Sequence, residues 1–150
     1  WRLAMSRLRD SIAACPSCLA ENFFTGDAGA TCWNCGHVMG SVPRLELGEG
    51  GRGGLVVLNG GTELHPHHTE RRRYDFSTAT AQVVAHPQRS DVWGLRNLTA
   101  RSWAAQTTDG KEWTVEPGQS VRIAAGTVID LGSVQARIVG DRPVAGAATG

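Results

Sequence analysis

Four cysteines within 21 residues constrain this chain more than any other feature: Cys15-Pro-Ser-Cys18, thirteen residues, then Cys32-Trp-Asn-Cys35-Gly36. A Cys-x-x-Cys turn aims two thiolates at one point. Two such turns supply four soft ligands at about 2.3 Å and close a tetrahedral sphere, leaving no place for a reacting water. The pattern predicts one structural Zn2+ held by Cys15, Cys18, Cys32 and Cys35. Gly36, just past the second knuckle, suits a turn that needs positive φ. A stretch this short lacks a core of its own, so metal binding is expected to drive its folding. Two disulfides are the competing use of four cysteines. The opening residues are charged and lack the apolar run of a secretory leader, which points to a reducing cytoplasm and to metal. His37 is a surplus donor beside a complete ligand set. Trp33, Phe23 and Phe24 are expected to pack around the knuckles.

Ahead of the cysteines, Trp1, Met5, Leu8 and Ile12 recur at helical spacing, with Arg2, Arg7, Arg9 and Asp10 mostly off that stripe. The spacing predicts a short helix over residues 1–14. Its stripe needs cover, from its own ribbon or from a preceding part of a longer protein of which this is a fragment. Beyond residue 42 the pattern changes to short β-runs between turn signals. Strands are expected at Arg44–Leu47, Leu55–Leu58, Glu63–His65, Ala81–Ala85, Val92–Asn97, Ser102–Thr107, Glu112–Val115, Ser120–Ala124, Thr127–Asp130 and Ala136–Val139. Asp109-Gly110 reads as a two-residue hairpin turn. Many short strands at this spacing make a sandwich or barrel. The fold class is therefore mainly β, with a leading helix (1–14), a zinc ribbon (15–42), a β-domain (43–140) and a Gly/Ala-rich, frayed tail (141–150).

The remaining motifs exclude more than they assign. The run from Gly48 to Gly54 lacks the Gly-Lys-Ser/Thr ending of a P-loop and reads as a hairpin or linker. Net charge is +1, and no Lys or Arg lies between Cys15 and Gly40; both argue against nucleic acid as partner. Arg71-Arg72-Arg73 reads as a solvated charge run. His65-Pro66-His67-His68 is a candidate second metal site or a polar loop, and in a strand His67 and His68 would face opposite ways. The five tryptophans are expected to anchor small cores. No apolar run reaches the roughly 18 residues of a membrane helix.

The β-region resembles the forkhead-associated (FHA) family, whose eleven-stranded sandwich binds phosphothreonine peptides on its loops. Ser77-Thr-Ala-Thr-Ala81-Gln-Val is similar to the family's Ser-Arg-x-His-Ala-x-Ile, and Leu95-Arg-Asn-Leu-Thr99 to its Leu-x-Asp-x-Ser. Val115-Glu-Pro-Gly118 and Gly126-Thr-Val-Ile-Asp-Leu-Gly132 resemble its closing Leu-x-x-Gly-Asp-x-Ile-x-Leu-Gly. The family's Gly-Arg falls near His65 and Pro66, where no Arg stands, and its Asn-Gly-Thr falls on Arg101-Ser102-Trp103. The resemblance implies a phosphopeptide site with Ser77 at a phosphate-contacting position and Thr99, Arg101 or an Arg of 71–73 as substitute donors.

Trp1-Arg-Leu-Ala-Met-Ser-Arg-Leu resembles the last helix of a protein-kinase lobe. Cys32-Trp-Asn-Cys35, His67-His68 and Val92-Trp-Gly-Leu-Arg-Asn-Leu-Thr make the chain similar to the C-terminal part of bacterial serine/threonine kinases of tellurite-resistance (TerY-type) systems, found beside von Willebrand A proteins and type-2C phosphatases. None of the kinase catalytic motifs is present. The resemblance implies a noncatalytic regulatory segment whose partner is a phosphothreonine-bearing protein or the kinase's own catalytic domain. Alternatives are a phosphorylation-independent scaffold for a von Willebrand A or phosphatase partner and a ribbon that binds nucleic acid.

Overall fold

A computed structural model of the chain describes residues 1–24, 29–40, 42–70, 72–89 and 92–140. The tail expected at 141–150, and Arg71 of the arginine run, lie outside the described residues.

Helix α1 spans Arg2–Asp10, four residues short of the expected Ala14. Ser11 caps it, its N–H meeting the Arg7 and Leu8 carbonyls and its hydroxyl donating to Leu8 O at 2.7 Å. Ile12 fits the helical stripe but belongs instead to β1 (Ile12–Ala14), which pairs antiparallel with β2 (Glu21–Phe23). The first Cys knuckle is the turn between these strands, and a knuckle needs extended chain on both sides.

The ten expected strands all form: three match to the residue, six are shorter by one or two residues, and the last begins one residue earlier, at Gln135. They are β3 (Arg44–Leu47), β4 (Leu55–Val57), β5 (Glu63–Leu64), β6 (Ala81–Ala85), β7 (Trp93–Asn97), β8 (Trp103–Gln106), β9 (Glu112–Val115), β10 (Ser120–Arg122), β11 (Val128–Asp130) and β12 (Gln135–Val139). A six-stranded antiparallel sheet runs β4-β3-β12-β11-β8-β9, and a four-stranded one runs β10-β7-β6-β5. Alternation decides the faces: Trp103 and Ala105 of β8, Val83 of β6 and Leu95 of β7 turn inward, while their neighbours turn out. Leu45, Leu58, Leu64, Leu95, Ile129 and Ile138 are fully buried in the resulting core. Trp103 is the tryptophan this core buries; Trp93 and Trp113 only border it, and Trp1 and Trp33 are exposed.

Two turns differ from expectation. The β8–β9 loop is longer than a two-residue turn: Thr107 N–H meets Lys111 O, with Thr108, Asp109 and Gly110 between them. Residues Pro66–Thr69 form a one-turn helix, α2, with Pro66 at its first position. Residues 48–54, five of them glycine, make the β3–β4 hairpin, closed by Leu47 N–H on Gly54 O and Gly53 N–H on Leu47 O.

The ribbon is seated on the sandwich. Ala13 and Phe24 of the ribbon share a second small core with Val57 and Leu55 of β4. Asn59, just past β4, acts as a strand surrogate: its amide oxygen accepts Ala14 N–H at 3.1 Å and its amide nitrogen donates to Ile12 O at 2.9 Å. Helix α1 lies beside β4 and docks through its polar side. Arg2 and Arg9 each stack at 4.3 Å over the rings of Tyr74 and Phe76, and Asp10 meets His68. Its apolar stripe is left outside, with Trp1, Met5 and Leu8 at 90%, 52% and 46% exposure. Among the described residues no helix is long and apolar enough to cross a membrane.

Candidate metal centre and loop surface

The two knuckles repeat one local plan. In each, the first cysteine's N–H bonds to the carbonyl five residues on (Cys15 to Ala20, Cys32 to His37) and its carbonyl accepts the N–H four residues on (Leu19, Gly36). That closing residue sits in the left-handed region in both, φ 65° at Leu19 and 75° at Gly36. Each turn also aims an amide at its first sulfur: Ser17 N–H at Cys15 Sγ and Asn34 N–H at Cys32 Sγ, both 3.4 Å.

The repeat brings four thiols to one point. Cys15 Sγ lies 3.7 Å from Cys35 Sγ, Cys18 Sγ lies 3.7 Å from Cys32 Sγ, and all four fall within 4.8 Å of one another. A tetrahedral ion with arms of about 2.3 Å spaces its sulfurs about 3.8 Å apart, whereas a disulfide would need about 2.05 Å. The four cysteines are free. The geometry fits a metal ion and places His37 outside the ligand group.

Electrostatics favour a cation at this point. The Cys35 N–H, with the Asn22 amide and Asn34 N–H, pulls the Cys32 thiol down to about 6 against the opposing effect of burial. The Asn34 side chain, 3.5 Å from Cys18 Sγ, lowers that thiol too. Cys35 goes the other way: the His37 N–H draws it down, but burial and the three neighbouring sulfurs outweigh this and push it up to about 11. Sulfurs so close cannot all ionise beside one another, and a dication removes the conflict. Of the aromatics expected around the knuckles, only Phe24 packs inward; Phe23 and Trp33 are 61% and 74% exposed, with Trp33 Nε1 donating to Glu21 O.

The histidine cluster is organised differently. Asp10, His67 and His68 approach one another as closely as ligands of one ion would. His68 Nδ1 accepts His65 N–H at 3.0 Å and His67 Nδ1 accepts Tyr74 N–H at 2.8 Å. A neutral imidazole has a single lone pair, and in both rings it is engaged by backbone, so the proton sits on Nε2. His68 Nε2–H then donates to the Asp10 carboxylate at 3.0 and 3.1 Å. The His68 ring ties helix α1 down through Asp10, and neither ring has an electron pair to offer a metal. Nothing in the local pattern singles out Asp10; the available signal for the turn that presents His68 is Pro66, which favours a first helical position.

The three residues implied for a phosphate site lie on neighbouring loops. Leu98 N–H bonds to Thr80 O, joining the turn after β7 to the segment leading into β6. Ser77 is exposed, and its N–H and hydroxyl both donate to Asp75 Oδ1, at 3.1 and 2.6 Å. These bonds hold the Asp75 carboxyl below its usual range. Thr99 is held inside its own turn, its N–H donating to Asn97 Oδ1 and its hydroxyl to Arg101 O. Asn97, fully buried, organises this turn by donating to Arg101 O and Val115 O. Arg101 is exposed, without an ion pair among the described residues. No protein-family model, no curated protein and no solved structure matches the chain.

Proposed function

We propose that the chain is a noncatalytic, cytoplasmic protein-recognition segment of a bacterial serine/threonine kinase, in which one structural Zn2+ on Cys15, Cys18, Cys32 and Cys35 holds a ribbon rigidly against an FHA-like sandwich. The observation that carries the reading is the seating of the four-thiol centre on the sandwich through Asn59 and the small shared core. A ribbon fixed in this way orients a recognition domain. The loops bearing Ser77, Thr99 and Arg101 are the candidate contact surface, with a phosphothreonine segment of a partner or of the kinase's own catalytic domain as ligand. A tethered segment gains from high effective concentration.

One observation favours the second reading, a phosphorylation-independent scaffold for a von Willebrand A or type-2C phosphatase partner. Asp75 already occupies the Ser77 hydroxyl and N–H, and a carboxylate there repels an incoming phosphate. A phosphothreonine peptide array with a phosphatase-treated duplicate separates the two. Binding that disappears on dephosphorylation, and in Ser77→Ala and Arg101→Ala, supports phosphate recognition; binding that persists supports the scaffold. Metal analysis returning anything other than one zinc per chain refutes the structural assignment.

A further inference from the structure

The outer face of the four-stranded sheet carries a groove of about 560 Å3 lined by Val84, Pro87, Trp93, Gly94, Arg96 and Arg122, among others. Strand register lays out its floor. Val84, Gly94 and Arg122 form one cross-strand row, and Gln82, Arg96 and Ser120 form the next. Gly94 opens the trough between the arginines, and a Cβ there would meet Ser120 Cβ at 2.9 Å. Among the described residues, Arg96 and Arg122 are both exposed with no ion pair, and no acidic residue lines the groove. This is an apolar-floored surface with two unanswered positive charges.

The spacing of those charges selects a ligand. Arg96 and Arg122 are diagonal neighbours on adjacent strands, which sets them about 7–8 Å apart at the backbone. Alternate side chains of an extended peptide lie about 6.6–6.8 Å apart on one face. Two carboxylates at positions i and i+2 of an extended segment therefore meet both guanidinium forks. A nucleic acid would ask for a longer basic stripe than two arginines on a chain of net charge +1. We propose that this face binds an extended acidic peptide of a partner protein, with carboxylates at alternate positions paired to Arg96 and Arg122. The proposal rests on the reading of the sandwich as a protein-recognition domain, but on a face distinct from the Ser77–Thr99–Arg101 loops.

The test is an NMR titration of the zinc-loaded full chain with a heptapeptide alternating Glu with Val and Thr, beside its Gln counterpart, a short single-stranded DNA and phosphatidylserine vesicles. Shifts confined to β6, β7 and β10 are expected with the Glu peptide. Arg96→Glu with Arg122→Glu should weaken binding about tenfold, and Arg96→Lys with Arg122→Lys should recover most of it, which separates loss of charge from loss of fold. Equal binding of the Gln peptide, indifference to charge reversal, or shifts on the Ser77 and Thr99 loops would overturn the proposal while leaving protein recognition intact. No peptide binding at about 1 mM, with DNA or vesicles bound instead, would overturn both.

Discussion

Asn59→Ala tests how firmly the ribbon is joined to the sandwich. The substitution removes the acceptor for Ala14 N–H and the donor to Ile12 O and touches neither the sulfurs nor the sandwich core. Each neutral hydrogen bond contributes about 1 kcal/mol net, and a donor or acceptor left unpaired in a buried place costs more. Ala13 and Ala14 are 2% and 3% exposed, so water does not easily replace the amide. The loss comes to about 2–3 kcal/mol, assigned to opening of the joint rather than to global unfolding. That is a roughly 30- to 150-fold rise in the population of the undocked ribbon. Amide exchange read by mass spectrometry should accelerate by that factor across residues 12–14 and in the Asn59 turn, with β7, β11 and β12 unchanged and zinc content unchanged. Equal exchange in wild type and variant would show that the small shared core alone holds the ribbon, and the strand-surrogate argument would fail. Uniform acceleration across the sandwich would show that the two halves unfold as one.

Three further outcomes follow from the same geometry. Leu19 holds a left-handed conformation at φ 65° with little burial, so Leu19→Gly should strengthen metal retention by about 1 kcal/mol, roughly fivefold, in a competition titration with a chromophoric chelator; weaker retention would refute the strain argument. Removing metal with a strong chelator should unfold residues 11–24 and 29–40 by amide exchange while β3–β12 stay protected, and a ribbon still protected without metal would count against it. Burial, reinforced by the neighbouring His68, holds His65 and His67 below the ordinary histidine value of 6.5. The unfolded chain thus binds protons first, so their contribution to stability is constant above neutrality and declines as pH falls through about 6.5 and below. The melting-temperature difference between wild type and His65→Gln/His67→Gln should therefore change across that window; a flat difference would refute it.

The readable parts of the sequence were those where one period or one chemistry governs. Two matched Cys-x-x-Cys turns point four thiols at one centre, as the structure shows, and period-2 runs such as Arg44–Leu47 and Glu112–Val115 match the strands to the residue. The helix end was misread because Ile12 satisfies two patterns at once, and the knuckle downstream, not the local periodicity, decided between them. The docking of α1 was illegible for a different reason. The apolar stripe looked like the contact face, yet the sandwich offers Tyr74, Phe76 and His68 at that site, partners that favour arginine and carboxylate. Ser77 is expected from sequence to face a phosphate; only the folded loop brings Asp75 onto its hydroxyl.

The inside-out seating of α1 has a consequence for how the molecule answers its ionic surroundings. The cation–aromatic contacts of Arg2 and Arg9 weaken as mobile ions shield charge. The interior between the two sheets responds in the opposite sense to excluded anions such as sulfate, which tighten apolar association. One polypeptide therefore carries two seams of opposite salt response, and concentrated sulfate should loosen the leading helix while it consolidates the β-layers beneath.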